Sequence, residues 1–246
     1  EGNTYNITEN KIPELKQKFK GLISYLKAVK SSVPQVLLRQ TLGTLEKFNV
    51  VPETMSEYQT SIYMSAYTSD RTERTGVYSK SRQASLFIFP DGSYGETGFT
   101  KYITRKTRRR TERIIGLGQE QTTYTFEAKP EFINTYKGST PEETISKIEK
   151  YSVKYAETLR TILRAQREGK SMFVYNEFVK GSGLIVFSIL LEMIGFSKAS
   201  GSEPENSYKP RYTLFTNLTM STKNISKVVN RFNRDDNMNG QVINVI

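Results

Sequence analysis

Apolar and polar positions settle into a regular rhythm only in the second half of this chain. Ser171-Met-Phe-Val-Tyr-Asn-Glu-Phe178 is a short apolar and aromatic run of the kind that suits a buried strand. Lys180-Gly-Ser-Gly183 punctuates it, and Leu184 to Phe196 sets Leu184, Phe187, Ile189, Leu190, Leu191 and Ile194 around a mostly buried helix ended by Gly195. Arg211-Tyr-Thr-Leu-Phe-Thr216 reads as a second strand. Ser221 then caps a helix carrying Ile225, Val228, Val229 and Phe232 at one-face spacing, and Asn237-Met-Asn-Gly240 turns into a third strand, Gln241 to Ile246. Strands alternating with helical crossovers predict an α/β fold whose parallel sheet has helices on both faces. Ligands of such sheets sit beyond the carboxyl ends of the strands, which singles out the loops after Phe178 and Thr216.

Upstream, Thr140-Pro-Glu-Glu143 is a helix start: a capping Thr, Pro at the first helical position, and Glu three residues after the cap. Ile145, Ile148, Ser152, Tyr155, Leu159 and Ile162 keep a 3-4 alternation as far as Gly169, which predicts one long amphipathic helix used as a packing face. The first half is broken by Pro34, Pro52 and Pro90. Thr54-Met-Ser-Glu57 forms a capping box ahead of a helix with Tyr58, Ile62, Tyr63 and Ala66. Ser85-Leu-Phe-Ile-Phe-Pro90 is apolar and ends in the turn Asp91 to Gly95, and Thr100 to Gln121 reads as flexible or ordered by a partner. A boundary is expected between Lys129 and Gly138, separating residues 1–135 from 136–246. No internal repeat is visible.

Composition narrows the chemistry. With no Cys there are no disulfides or thiolate metal sites, and with no His the commonest metal ligand and general base are missing. Ser-His-Asp, Cys-His and zincin chemistries are excluded. No apolar run approaches the roughly 20 residues that span a bilayer, so no membrane partner is expected. Glu1 follows neither Met nor a signal-like stretch, and a piece of a longer protein is expected. The sequons at Asn6, Asn217 and Asn224 carry no weight outside a secretory compartment. The formal charge of +11 is uneven: Lys101 to Arg113 holds Lys101, Arg105, Lys106, Arg108, Arg109, Arg110 and Arg113 against one acid, Glu112. Such a run is either a solvated face or a phosphate-binding one; nucleic acid is its natural partner, with an anionic membrane surface or a protein partner as the remaining alternatives.

Single motifs are weaker. Gly169-Lys170-Ser171 ends like a P-loop, but position 164 is Arg and the order is helix then strand, so it is rejected. Gly181-Ser-Gly183 either aims backbone N–H groups at a phosphate or makes a tight turn with room for close packing. Glu142/Glu143 and Asp235/Asp236 are explained by a helix start and a turn, and no catalytic dyad is visible.

Several short motifs in order form a more specific pattern. Phe19-Lys-Gly-Leu-Ile-Ser-Tyr25, Pro34, Met55-Ser-Glu-Tyr-Gln59, Tyr63, and Ser81-Arg-Gln-Ala-Ser85 running into Phe87-Ile-Phe-Pro90 belong to it. So do Lys150-Tyr-Ser-Val-Lys154, Gly169, Phe173-Val-Tyr175, Leu191-Glu-Met-Ile-Gly-Phe196, Phe232-Asn233 and Asn239-Gly-Gln-Val-Ile-Asn-Val245. Together they resemble viral superfamily 2 helicase-like ATPases, the group of poxvirus early transcription factor and nucleoside triphosphatase I with asfarvirus and giant-virus relatives. The resemblance implies an inter-lobe segment over 1–135, with a basic insert at 100–121, and the first part of a second RecA-like motor lobe over 136–246.

It further implies a DNA-dependent ATPase of a large DNA virus, serving transcription in the host cytoplasm and virion. ATP and Mg would be held mainly by a first lobe whose P-loop and acidic box are not in this sequence, so no catalytic residue is expected here. DNA is the implied partner through its backbone, with viral RNA polymerase or a second transcription-factor subunit beside it. By resemblance Asn176 and Lys180, and Asn217, Ser221 and Lys223, hold the sugar-phosphate backbone of the tracked strand; turn and capping chemistry is their alternative. The alternative for the whole chain is a non-catalytic nucleic-acid-binding or scaffolding module built on a RecA-like lobe.

Overall fold

The computed structural model describes residues 51–73, 77–113, 120–205 and 207–246 together with Lys11 and Pro13, and for residues 108–113, 120 and 121 it describes the backbone. The expected motif at Phe19 to Tyr25, and Pro34, lie outside the described residues. Pro52–Ile246 forms one unit and Glu1–Val51 another.

In the unit Pro52–Ile246, helix α1 (Glu57–Glu73) begins where the Ser56 hydroxyl accepts a hydrogen bond from Gln59 N at 3.0 Å, so the cap is Ser56 rather than the expected Thr54. Polar side chains fasten its buried face. Gln59 is fully buried; its Nε2 donates to the carbonyls of Ala84 and Ser85 and its Oε1 accepts from Val153 N. Asp70 accepts from both the amide and the hydroxyl of Ser81 at 2.8 Å, which fixes helix α2 (Ser79–Leu86) against α1.

After helix α3 (Gly95–Tyr102) comes the largest departure from expectation. The described part of Thr100 to Gln121 is regular: β1 (Ile103–Arg113) and β2 (Glu120–Ala128) form an antiparallel ribbon. Its register runs from Ile103 opposite Ala128 to Arg108 opposite Thr123, with an irregularity between Arg108 and Glu112. The residues facing each other explain it. Ile103, Thr104, Thr107 and Thr122-Thr-Tyr-Thr-Phe126 are β-branched or aromatic, a composition that favours the pleated conformation, and charge density had masked it.

The expected long helix is also two. Helix α4 (Pro130–Tyr136) leads to α5 (Pro141–Glu149), capped by Thr140 accepting from Glu143 N, and then to α6 (Val153–Arg167). Ser152 makes the break, accepting from Tyr155 N at 3.1 Å while donating to the Leu86 carbonyl. The apolar stripe survives it, since Ile145, Ile148, Tyr155, Leu159 and Ile162 are all buried. They close on Phe87, Phe89, Phe132 and Tyr136, whose rings approach to 4.7 Å between centroids for Phe132 and Tyr136. Each such ring contributes about 1.5–3 kcal/mol by burial, with about 0.5–1.5 more per well-oriented pair. Residues on both sides of position 135 share this core.

The second sheet is small and parallel. Met172 pairs with Val245, Val245 with Tyr212, and β4 (Arg211–Tyr212) with β3 (Ser197–Lys198). Backbone bonds extend it: Met172 N to Asn244 O at 2.8 Å, Val174 N to Ile246 O at 2.7 Å, Thr213 N to Val245 O at 2.9 Å. Helix α7 (Leu184–Met193) joins the Met172 segment to β3, and α8 (Thr222–Phe232) joins β4 to the Val245 segment. Helices and short parallel strands thus alternate as an α/β fold requires. Two details differ from expectation. Ser171 to Phe178 is not a buried strand: Phe173 and Tyr175 are 74% and 79% exposed while Met172 and Val174 pack on the core, the period-2 pattern of a segment covered on one face. Strand β3, almost without apolar residues, was not foreseen.

Candidate nucleic-acid interface

Lys101 lies in the last turn of α3, and Arg105 and Lys106 follow on β1, all three exposed. The Arg105 guanidinium lies 4.8 Å over the Tyr124 ring, across the ribbon. Lys106 pairs with Glu127 at 2.5 Å and Lys101 with Asp91 at 2.8 Å. Asp91 shows how such a pairing acts. Burial opposes its ionisation, but Lys101 Nζ and the hydroxyl and amide of Ser93 donate to the carboxylate and hold it down at about 2. Both ion pairs are exposed and therefore worth at most about 1 kcal/mol each, so a phosphate can displace the carboxylates cheaply. Arg108, Arg109, Arg110 and Arg113 continue β1 beyond this point.

The ribbon is fixed at its root and along its length. At the root, Lys129 N donates to Tyr102 O at 2.9 Å and Lys129 Nζ to Lys101 O at 2.6 Å. Farther out, Tyr124 N donates to Leu218 O at 2.7 Å. That bond brings the basic ribbon against the loop after β4, joining two groups of candidates that lie far apart in sequence. Asn217 is exposed in this loop, and Lys223 is exposed in the first turn of α8. Ser221 is buried and caps α8 by accepting from Asn224 N, so its hydroxyl is occupied by capping. Tyr124 escaped the sequence reading; its place opposite Thr107 in an alternating run was the available signal.

The other loop is built differently. Asn176 is held at both ends of its amide: Nδ2 donates to the Tyr155 hydroxyl at 3.1 Å and Oδ1 accepts from Phe178 N at 2.9 Å. Lys180 is half-buried beside Gly181. The turn that follows is one of close packing. A Cβ at Gly183 would lie 1.9 Å from Phe178 O, and one at Gly181 would lie 2.1 Å from Gln83 Oε1. Ser182 is fully buried, donating to Phe87 O at 2.8 Å and accepting from Gly95 N at 2.9 Å. The amides of Gly183, Leu184 and Ile185 at the start of α7 donate to the carbonyls of Lys180, Phe178 and Val179, which leaves none of them for a phosphate. Gly169 follows α6 with a φ of 63°, and Lys170 pairs with Glu168 at 2.6 Å. Neither of these glycine turns therefore offers a phosphate cradle, and among the described residues no group of acids is placed to hold a metal.

Beyond the carboxyl ends of the parallel segments lies a cleft of about 310 Å³, lined by Phe173, Tyr175, Asn176, Tyr212, Phe215 and Ile246 among others. Thr213 also lines it, and its buried hydroxyl has no hydrogen-bond partner.

No family model and no solved structure matches the chain. Viral proteins do. The chain is 34% identical over 233 residues to "Putative helicase 087L" of Invertebrate iridescent virus 3. It is 27% identical over 234 residues to "Putative ATP-dependent RNA helicase" of Heliothis virescens ascovirus 3e, and 28% identical over 235 residues to "Putative helicase 009L" of Frog virus 3. These alignments cover 95%, 94% and 95% of this chain and 21%, 23% and 20% of the relatives, so the chain spans about a fifth of the length of the curated relatives it matches. Its likeness is to helicase-like viral proteins.

Proposed function

We propose that this chain is the nucleic-acid-gripping part of an ATP-driven, helicase-like motor of a large DNA virus. The observation that carries the reading is the Tyr124 N to Leu218 O bond, which sets a basic ribbon against the loop after a parallel strand, where α/β folds place their ligands. The likeness to viral proteins named as helicases supports the motor, and the name of the ascovirus relative supports ATP as its fuel. In this reading residues 136–246 are the first part of a RecA-like second lobe and 1–135 an inter-lobe segment. ATP and Mg are held by residues other than those described. The grip is on backbone, chiefly through Arg105 and Lys106, with Asn217 and Lys223 beside them, because a motor that steps along a strand gains from contacts that carry no sequence information. We take DNA as the track, transcription as the task, host cytoplasm and virion as the setting, and viral RNA polymerase or a second transcription-factor subunit as companion.

A non-catalytic nucleic-acid-binding or scaffolding module is the second reading, favoured by the closed turn before α7, where carbonyls take the amides of Gly183, Leu184 and Ile185. One measurement separates them. DNA should stimulate ATP hydrolysis by the natural protein that carries this sequence, and R105E/K106E should reduce the stimulation. A protein that binds DNA but never turns over ATP establishes the second reading, and one that binds no nucleic acid defeats both.

A further inference from the structure

We infer that the β1–β2 ribbon seats in the major groove of B-form duplex DNA, so that this part of the molecule holds double strand rather than the single strand. The inference rests on the nucleic-acid reading above and specifies its substrate.

Shape comes first. β1 has 11 residues, and at about 3.4 Å per residue such a strand spans roughly 35 Å. Of the β1 side chains that are described, those at the base alone are enclosed by the body, while Thr123 to Phe126 on β2 are half-buried. Tyr102 and Ile103 are buried, whereas Thr104, Arg105, Lys106 and Thr107 are exposed on β1, as is Thr122 opposite. A two-stranded antiparallel ribbon is one of the elements that the major groove, about 12 Å wide, admits. An A-form RNA duplex closes that route, because its major groove is deep and too narrow for side chains to read.

The surface chemistry agrees. Sequence-tolerant grip on a single strand depends on aromatic faces left free for bases to stack upon. The ribbon's aromatic rings are already taken, Tyr124 by the Arg105 guanidinium at 4.8 Å and Phe126 by Phe99 at 5.7 Å. What remains outward is hydroxyl and cation, with one acid, Glu127, paired to Lys106. Threonines offer short donors and a methyl group, and Arg105 and Lys106 reach the phosphates on either wall of a groove. Lys106 is paired with the exposed Glu127 carboxylate, which a phosphate can replace without unsealing the core, and Arg105 can stay over the Tyr124 ring while the edge of its guanidinium donates to a phosphate. The sequence of β1 keeps supplying charge past residue 107, in Arg108, Arg109, Arg110 and Arg113.

The test is fluorescence anisotropy of the 246-residue chain on labelled oligonucleotides of one sequence, offered as DNA duplex, RNA duplex and single-stranded DNA. The DNA duplex should bind at least about tenfold more tightly than either alternative, and methyl green, which fills the major groove, should displace the protein while netropsin does not. R105E/K106E should weaken duplex binding by at least about tenfold and shallow the dependence of log K on log salt. If circular dichroism shows that this variant is unfolded, Lys106→Ala takes its place, with a slope shallower by about one; an unchanged slope in the folded variant overturns the assignment. Equal or tighter binding of single strand or RNA duplex, or displacement by netropsin alone, also overturns the groove while leaving the nucleic-acid reading intact. No binding to any of the three removes both.

Discussion

Asn176 donates from Nδ2 to the Tyr155 hydroxyl at 3.1 Å, and that hydroxyl donates to Ser182 O at 2.6 Å. The relay ties the segment after the Met172 strand to the middle of α6 and to the turn before α7. Burial raises the Tyr155 pKa far above the ordinary phenol range, so the hydroxyl keeps its proton wherever the protein folds. Asn176→Ala removes a donor and leaves Phe178 N without its acceptor, and should cost about 1–2 kcal/mol in urea unfolding. Tyr155→Phe should cost about 1–3 kcal/mol, because the buried Ser182 carbonyl then loses a partner. Unchanged midpoints in both variants would show the relay to be idle.

Asp91 predicts an acid limb. Its carboxyl is depressed from 3.8 to about 2 in the fold, so the stability it lends is fully present above the unfolded value and disappears as pH falls through about 2. Asp91→Asn removes that term. Wild type should exceed the variant in stability at neutral pH, and the gap should shrink between about pH 4 and about pH 2. A gap that stays constant over that window refutes the assignment to this carboxylate.

Gly183 tests the packed turn. A methyl group there would meet Phe178 O at 1.9 Å, and the Phe178 carbonyl is already the acceptor for Leu184 N. Gly183→Ala should lower stability by more than about 2 kcal/mol, at the upper part of the overpacking range. A phosphate-binding turn would instead show normal stability and reduced affinity for nucleotide or nucleic acid.

Arg231 is 4% exposed and pairs with Asp236 at 2.7 Å, while its remaining donors reach the carbonyls of Glu203 and Pro204. It therefore clasps the β3–β4 connection to α8. Arg231→Ala removes the donor to two carbonyls and leaves the half-enclosed Asp236 carboxylate with the more distant Arg234 at 4.0 Å, and should cost about 3 kcal/mol by chemical denaturation, the lower end for a broken buried pair. Lys223, exposed in the first turn of the same helix, provides the contrast: Lys223→Ala should leave Tm unchanged and shallow the salt dependence of nucleic-acid binding by about one.

Local rules were legible wherever a single neighbourhood decides the outcome. Thr140, Ser221 and Gly195 mark their helix ends as the residue types predict, and the largely apolar run from Leu184 announced a buried helix. Competition between signals hid the rest. Ser152 sits on the stripe spacing of one continuous helix, yet its hydroxyl is more valuable capping α6 and reaching Leu86 O. The arginines of β1 suggest a solvated loop until the threonines and Tyr124 across the ribbon are paired with them. Asn176 looks like a free loop amide because its partner, Tyr155, lies a helix away in sequence. The joint between Tyr124 and Leu218 could not be read at all, since a backbone amide and a backbone carbonyl leave no trace in residue identity.

That joint also gives the ribbon a mechanical character. Pinned at Lys129 and again at Tyr124, it is a short cantilever with its second support on the loop that feeds α8. A push on its outer part becomes a torque about the root, and the reaction is delivered to Leu218, three residues before the Ser221 cap. A load on the ribbon is therefore shared with the loop at Leu218 and does not rest on its root alone.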